Sequence, residues 1–157
     1  MLKLTKKADY GLIALKHLAN LPPTGSASAK DIADSYSIPQ PLLAKILQKL
    51  AKGGFLQSEH GTNGGYRLAR QATKISALEV IRAIDGPIIL TSCFTEHGMC
   101  GQSDRCNVRE PLRKIHEGIL GLLNNITIAD MSEDEDSKLY HLGATIAQPS
   151  ASLQECV

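Results

Sequence analysis

A chain of 157 residues with 43% hydrophobic residues, only 4% aromatic residues and no tryptophan is expected to form one domain with small appendages, its core built mostly from Leu, Ile and Ala, which favours helices. No run approaches the roughly 18 apolar residues of a membrane span, and the N-terminus, MLKLTKKADYGL, has neither an apolar signal core nor a small-residue cleavage site. The expected location is therefore the cytoplasm, where the four cysteines stay reduced and serve as ligands or redox groups rather than as a disulfide framework. The formal charge of +1 hides an asymmetry: residues 1–74 carry 11 basic against 4 acidic side chains, residues 75–157 carry 6 against 12. A basic N-terminal half facing a polyanion is one reading, and two ordinarily solvated halves the other.

Residues 6–20 place apolar side chains at 8, 12, 15, 18 and 19, a helical stripe, with Thr5 as its cap and Pro22-Pro23 beyond its end. After the linker LPPTGSAS, Ser28 opens an S-x-x-D capping box for a short helix over 29–36. Ser37-Ile38-Pro39-Gln40 is a tight turn, and Pro41 suits the first position of a helix over 41–52. That helix turns Leu42, Leu43, Ile46, Leu47 and Leu50 inward and Lys45, Gln48, Lys49 and Lys52 outward, and Gly53-Gly54 end it. The period then changes to that of strands: FLQSEHGTNGGYRLAR reads as a hairpin, with Asn63-Gly64-Gly65 supplying positive φ at the turn.

Helix, short helix, turn, helix and hairpin is the order of a winged helix-turn-helix, whose second motif helix enters the major groove of double-stranded DNA. Ser76-Ala77-Leu78-Glu79 is a full capping box for a helix to about residue 84, stopped by Asp85-Gly86-Pro87. A last long helix over 111–125 carries an apolar stripe at 112, 115, 119, 122, 123 and 126, the pattern of a dimer seam. Residues 132–157, opening SEDEDS, read as a mostly disordered tail. The expected fold is mainly α with a small β-hairpin wing: a winged helix-turn-helix DNA-binding domain over 1–74, a cysteine loop and a long C-terminal dimerisation helix over 75–131, and the tail.

Cys93, Cys100 and Cys106 lie in SCFTEHGMCGQSDRCNV, spaced C-x6-C-x5-C. Structural zinc sites use closer cysteine pairs. Three thiols on a wide loop, with Gly98 and Gly101 to turn the backbone, suit an iron–sulfur cluster, which selects soft thiolates. The competing reading is a metal-free thiol switch. Cys156 stands alone in the tail. His116, on the last helix, reads as a surface or dimer-face residue rather than a ligand. No phosphate-cradling loop, nucleophile elbow or paired acid–base motif points to an enzyme.

The order MLKLTKKADYGLIAL, helix-turn-helix, HGTNGGYRLAR, three-cysteine loop and LLNNITIADM closely resembles the Rrf-type iron–sulfur transcription regulators over about residues 1–131, with IscR-like cluster-assembly and NsrR-like nitric-oxide-sensing branches. GPIILTSC and CNVREPLRKI are most similar to regulators of sulfur-mobilisation (Suf) assembly operons. The resemblance implies a cytoplasmic homodimer that binds promoter operators, a repressor or activator of iron–sulfur assembly or stress-response genes, with a [4Fe-4S] or [2Fe-2S] cluster near the subunit boundary. Cys93, Cys100 and Cys106 match the family's three ligand positions. Arg109 stands where the cluster-assembly branch has a histidine ligand. Asp9 matches the aspartate that the partner subunit contributes in the nitric-oxide branch, and His97 is the fallback. On the DNA side, the resemblance and the outward faces together nominate Thr5, Lys6, Tyr10, Ser28, Gln40, Pro41, Lys45, Lys49, His60, Thr62, Asn63 and Arg67. Lys45 sits where the cluster-assembly branch has a base-reading glutamine, and His60 where that branch has a minor-groove arginine. Lysines in this position either read guanine or only hold phosphate, and Thr5, Lys6 and Tyr10 at the start of the first helix are placed to touch phosphate through side chains and the helix N-terminus.

Overall fold

A computed structural model describes residues 4–61, 64–94, 101–102 and 105–132. Residues 133–157 of the tail, Thr62, Asn63, His97 and Cys100 lie outside the described residues. The elements run α1 (Lys6–Ala19), α2 (Ala29–Tyr36), α3 (Gln40–Lys52), β1 (Leu56–Ser58), β2 (Tyr66–Leu68), a 3-10 turn (Ala72–Lys74), α4 (Ala77–Asp85), a second 3-10 turn (Ser92–Phe94), α5 (Arg109–Asn125) and α6 (Ile128–Ser132). This is the winged arrangement: mainly helical, with one two-stranded antiparallel hairpin.

The core is aliphatic, as the shortage of aromatics requires. Leu15, Ile32, Leu43, Leu47, Leu50, Ile75, Val80 and Ile128 are fully buried in one cluster. Each such side chain contributes about 1.5–3 kcal/mol through removal from water. α1 is the central strut, packing on α3, α4 and α6. It comes so close to α4 that a Cβ on Gly11 would stand 2.2 Å from Ile84 Cδ1.

Local chemistry sets the helix ends. Ser28 and Ser76 each accept from the backbone N–H three residues on, and Asp31 and Glu79 reach back to the cap N–H, closing both capping boxes. α3 begins one residue before Pro41, on Pro39 as cap. It ends in a Schellman motif: Gly54 adopts φ 76°, Gly54 N–H donates to Ala51 O and Phe55 N–H to Leu50 O, each at 3.0 Å. α5 starts at Arg109, two residues before Pro111. Proline is tolerated there because the first-turn N–H groups have no helical partner. α6 is an addition to the elements read from sequence.

The wing pairs Leu56 with Leu68, Gln57 with Arg67 and Ser58 with Tyr66. The linker joins it: Tyr66 N–H donates to Ala27 O at 2.9 Å and Ala27 N–H to Tyr66 O at 3.1 Å. The glycine roles differ from expectation. Gly61 carries the positive φ, 133°, among the described wing residues, and Gly64 and Gly65 do not. Gly65 is required by close approach instead, since a Cβ there would meet Ala27 O at 2.6 Å.

Glu79 ties the wing's base to α4. It takes a hydrogen bond from Arg70 at 3.2 Å, and the Arg70 guanidinium lies 4.7 Å from the centre of the Phe55 ring. The Ser76 N–H, and then Arg70, hold the Glu79 carboxyl below its ordinary range. A depressed folded-state pKa means stability that is complete above the unfolded-state value and lost as pH falls through the folded one. Glu79→Ala is expected to cost about 0.5–1 kcal/mol at neutral pH, discounted for solvent screening. Urea denaturation repeated below pH ~4 should show the gap between variant and wild type shrinking.

Candidate nucleic-acid interface and cysteine loop

The helix-turn-helix bend is fixed by Ser37 in the left-handed region, φ 53°, and by Ile38 N–H donating to Ala33 O at 2.9 Å. α3 then leaves with Gln40, Pro41, Lys45, Gln48 and Lys52 exposed on one side and with no acidic residue in its sequence. Its open face can offer amide and ammonium groups to base edges and phosphates.

Several nominated side chains have partners of their own. Lys49 donates from Nζ to Ile84 O at 2.8 Å, binding α3 to the end of α4. Its role as a phosphate anchor therefore competes with an internal contact. Thr5 Oγ1 donates to the Asp85 carboxylate at 2.7 Å while accepting from Ala8 N–H. Asp85 thus occupies the anion position at the N-terminus of α1, where a phosphate was expected. Ser28 Oγ is taken up by its capping box with Asp31. Arg67 Nε stands 2.8 Å from Glu59 Oε1, in an ionic contact too poorly aligned to count as a hydrogen bond, and its Nη2 donates to Gln57 Oε1 at 3.0 Å. Tyr10 is half-buried against the core. Lys6 and His60 are exposed.

Sequence reading missed the junction these contacts make. The last turn of α4 is tied to α3 through Ile84 O and to α1 through Asp85, and the chain runs from Asp85 through residues 86–91 to the cysteine loop. A charged residue beside a helix end is a weak sequence signal for such a tie, and a backbone acceptor such as Ile84 O gives none.

At the loop's two ends, Cys93 in the second 3-10 turn and Cys106 just before α5 are both free and half-buried. Phe94, next to Cys93, stacks on His116 of α5 with ring centres 5.3 Å apart and planes 28° off parallel. His116 Nδ1 and Thr91 Oγ1 are enclosed and have no hydrogen-bond partner among the described residues. A free soft donor at Cys93, with an unpaired enclosed hydroxyl two residues before it and His116 stacked on the residue after it, fits a group bound through sulfur, because sulfur anions are acceptors. Among the described residues no three His, Cys, Asp or Glu side chains converge on a metal position. Asp9 is exposed in the first turn of α1, and Arg109 is exposed at the start of α5. α5 buries none of its residues completely. Its apolar side leaves Ile115 52% and Leu122 36% exposed, with Val108 just ahead of it at 51%. Among the described residues no helix is long and apolar enough to cross a membrane.

Residues 4–134 match the Rrf2 family model, described as iron-dependent transcriptional regulator. Among solved structures, CymR (YrzC), the global cysteine regulator of B. subtilis, is 27% identical with a TM-score of 0.73, over 84% of this chain and 97% of that one. IscR from T. potens is 27% identical with a TM-score of 0.66, over 88% and 96%. The oxidized form of Staphylococcus aureus CymR is 26% identical with a TM-score of 0.68, over 86% and 99%.

Proposed function

The chain belongs to the Rrf2 family of transcriptional regulators, and from that premise we propose that it is a homodimeric operator-binding protein whose grip on DNA is set by an iron–sulfur cluster on Cys93, Cys100 and Cys106. It is a regulator, not an enzyme. The observation that carries the cluster reading is the C-x6-C-x5-C loop, whose described thiols, Cys93 and Cys106, are free and half-buried, with the enclosed, unpaired Thr91 Oγ1 two residues before Cys93.

Three thiolates need a fourth donor, and Asp9 of the partner subunit is the choice ahead of His97. A bound cluster supplies an oxidant- and nitric-oxide-labile link, preferentially [4Fe-4S] with [2Fe-2S] as the alternative, weakest at a hard carboxylate ligand. This chain's own residues carry the consequence to DNA. Pull on the cysteine loop acts at Asp85, where the Thr5 hydroxyl holds α1, and at Ile84 O, where Lys49 holds α3. Shifting α3 in both subunits changes how Gln40 and Lys45 meet two half-sites. A coupling of about 1–3 kcal/mol gives a 5- to 150-fold change in affinity. Lys52 and Lys6 hold phosphate, and the open apolar side of α5 forms the dimer seam. The genes controlled are those of iron–sulfur assembly or stress response, sulfur-mobilisation operons first among them.

A metal-free thiol-redox repressor is the second reading, favoured by the similarity to CymR in its oxidized form. Protein purified without air decides between them. Brown protein with iron and acid-labile sulfide, losing both on oxidation together with a change in salt-dependent promoter binding, supports the cluster. Colourless, sulfide-free protein with reversible disulfides supports the thiol switch.

A further inference from the structure

At one point on α5, Ile115 and His116, the expected polarity is inverted. Ile115 is 52% exposed, while its polar neighbour His116 is half-buried, with Nδ1 shut off from solvent and unpaired. A helix held only by its apolar stripe would do the reverse. Ile115 is left for another surface, and the imidazole is turned into the chain's own cysteine loop, where it stacks on Phe94. Because Nδ1 is already enclosed within one chain, a second copy docking on α5 cannot reach it. Among the described residues it has no partner, and its ring faces Phe94, next to Cys93. Thr91 Oγ1, two residues before Cys93, is enclosed and unpaired in the same way. Two unmatched polar atoms therefore flank one cysteine, His116 through the residue after it and Thr91 from the residue two before it. Enclosed polar atoms without partners are costly and uncommon. An acceptor that needs no proton of its own would satisfy both, and a thiolate or inorganic sulfide is such an acceptor.

We propose that His116 is a positioning residue for the cluster site, donating a hydrogen bond from Nδ1–H to a sulfur at the Cys93 corner while its ring clamps Phe94. This rests on the cluster reading above. Hydrogen bonds to cluster sulfurs stabilise the more negative, reduced state and so raise the reduction potential. His116 is thereby a setting for how readily the sensor responds to oxidant.

The test uses the full chain, loaded anaerobically, with His116→Phe, which keeps a stacking ring without a donor, and His116→Asn, which keeps a donor near Nδ1 without the ring. Spectroelectrochemical potential and the rate of bleaching in air are the readouts. His116→Phe is expected to lower the potential and to bleach several-fold faster, with His116→Asn staying near the wild-type potential. If His116→Phe fails to load while His116→Asn loads, the donor role is supported. A wild-type potential in His116→Phe, an equal shift in both variants, or loading lost in both overturns it. Wild-type protein without acid-labile sulfide removes the cluster reading itself, and this proposal with it. A wild type that holds sulfide alongside an unshifted His116→Phe removes the His116 proposal alone.

Discussion

Cys106→Ser is expected to bring iron and acid-labile sulfide down to background, whereas Cys156→Ser leaves both at wild-type levels. A serine hydroxyl is harder than a thiolate and stays protonated near neutral pH, so it does not replace a sulfur ligand for iron. Cys106 is half-buried just ahead of α5 and belongs to none of the core clusters. The fold should therefore survive, with circular dichroism and dimer mass unchanged. Promoter affinity is the second readout. Cys106→Ser should bind as the demetallated wild type binds and differ from the loaded protein by roughly 5- to 150-fold, the range of ordinary allosteric coupling. The comparison separates loss of the cluster from damage to the reading head, because damage would weaken Cys106→Ser below the demetallated wild type as well. Normal iron and sulfide in Cys106→Ser would exclude it from the ligand set. Unchanged DNA affinity despite an emptied site would sever sensing from reading.

The helical framework was legible where side chains act on their own neighbours. The Ser28 and Ser76 capping boxes start α2 and α4 at the residues the sequence indicated, and the glycine pair after α3 stops it. α6 was legible too and went unread. Thr127 and Asp130 form the same reciprocal cap, with Thr127 Oγ1 donating to Asp130 Oδ2 at 2.7 Å and accepting from Asp130 N–H at 3.2 Å. A five-residue helix is too short to announce itself by periodicity, and its stability comes from burying Ile128 in the core cluster. What sequence could not supply was the destination of long polar side chains. Lys49 satisfies an outward helical pattern and yet ends on a carbonyl 35 residues away. Thr5 looked available to phosphate and is bonded to Asp85, 80 residues on. Such contacts depend on where helix ends meet in space, and periodicity carries nothing about that. His116 was misjudged for the same reason: a helical wheel places it beside the stripe, but only the folded loop supplies the Phe94 ring against it.

Those destinations divide the three lysines of α3 by contact, and the proposed division of function has a measurable form. Lys45 is exposed near the middle of α3 with no partner among the described residues, on the face that the Ser37 turn presents outward. A base-reading lysine contributes about 1–3 kcal/mol of discrimination, the role proposed for Lys45. In the proposed dimer two copies act, so Lys45→Ala is expected to cost about 2–6 kcal/mol of operator affinity and to flatten the preference for operator over scrambled duplex. Lys52, exposed at the last turn, should act through phosphate. Lys52→Ala should weaken operator and scrambled duplex alike and reduce the salt slope by roughly 0.9 for each phosphate released. Lys49→Ala should leave the salt slope nearly unchanged, because its ammonium is engaged with Ile84 O. Its effect should fall on the coupling instead, narrowing the affinity difference between loaded and empty protein as α3 is released from α4. Titrations at several salt concentrations, on operator and scrambled duplex, with loaded and empty protein, separate the three. If Lys49→Ala lowered the salt slope as Lys52→Ala does and left the loaded-to-empty ratio intact, Lys49 would be a phosphate anchor after all, and the path from cysteine loop to recognition helix would have to run through α1 alone.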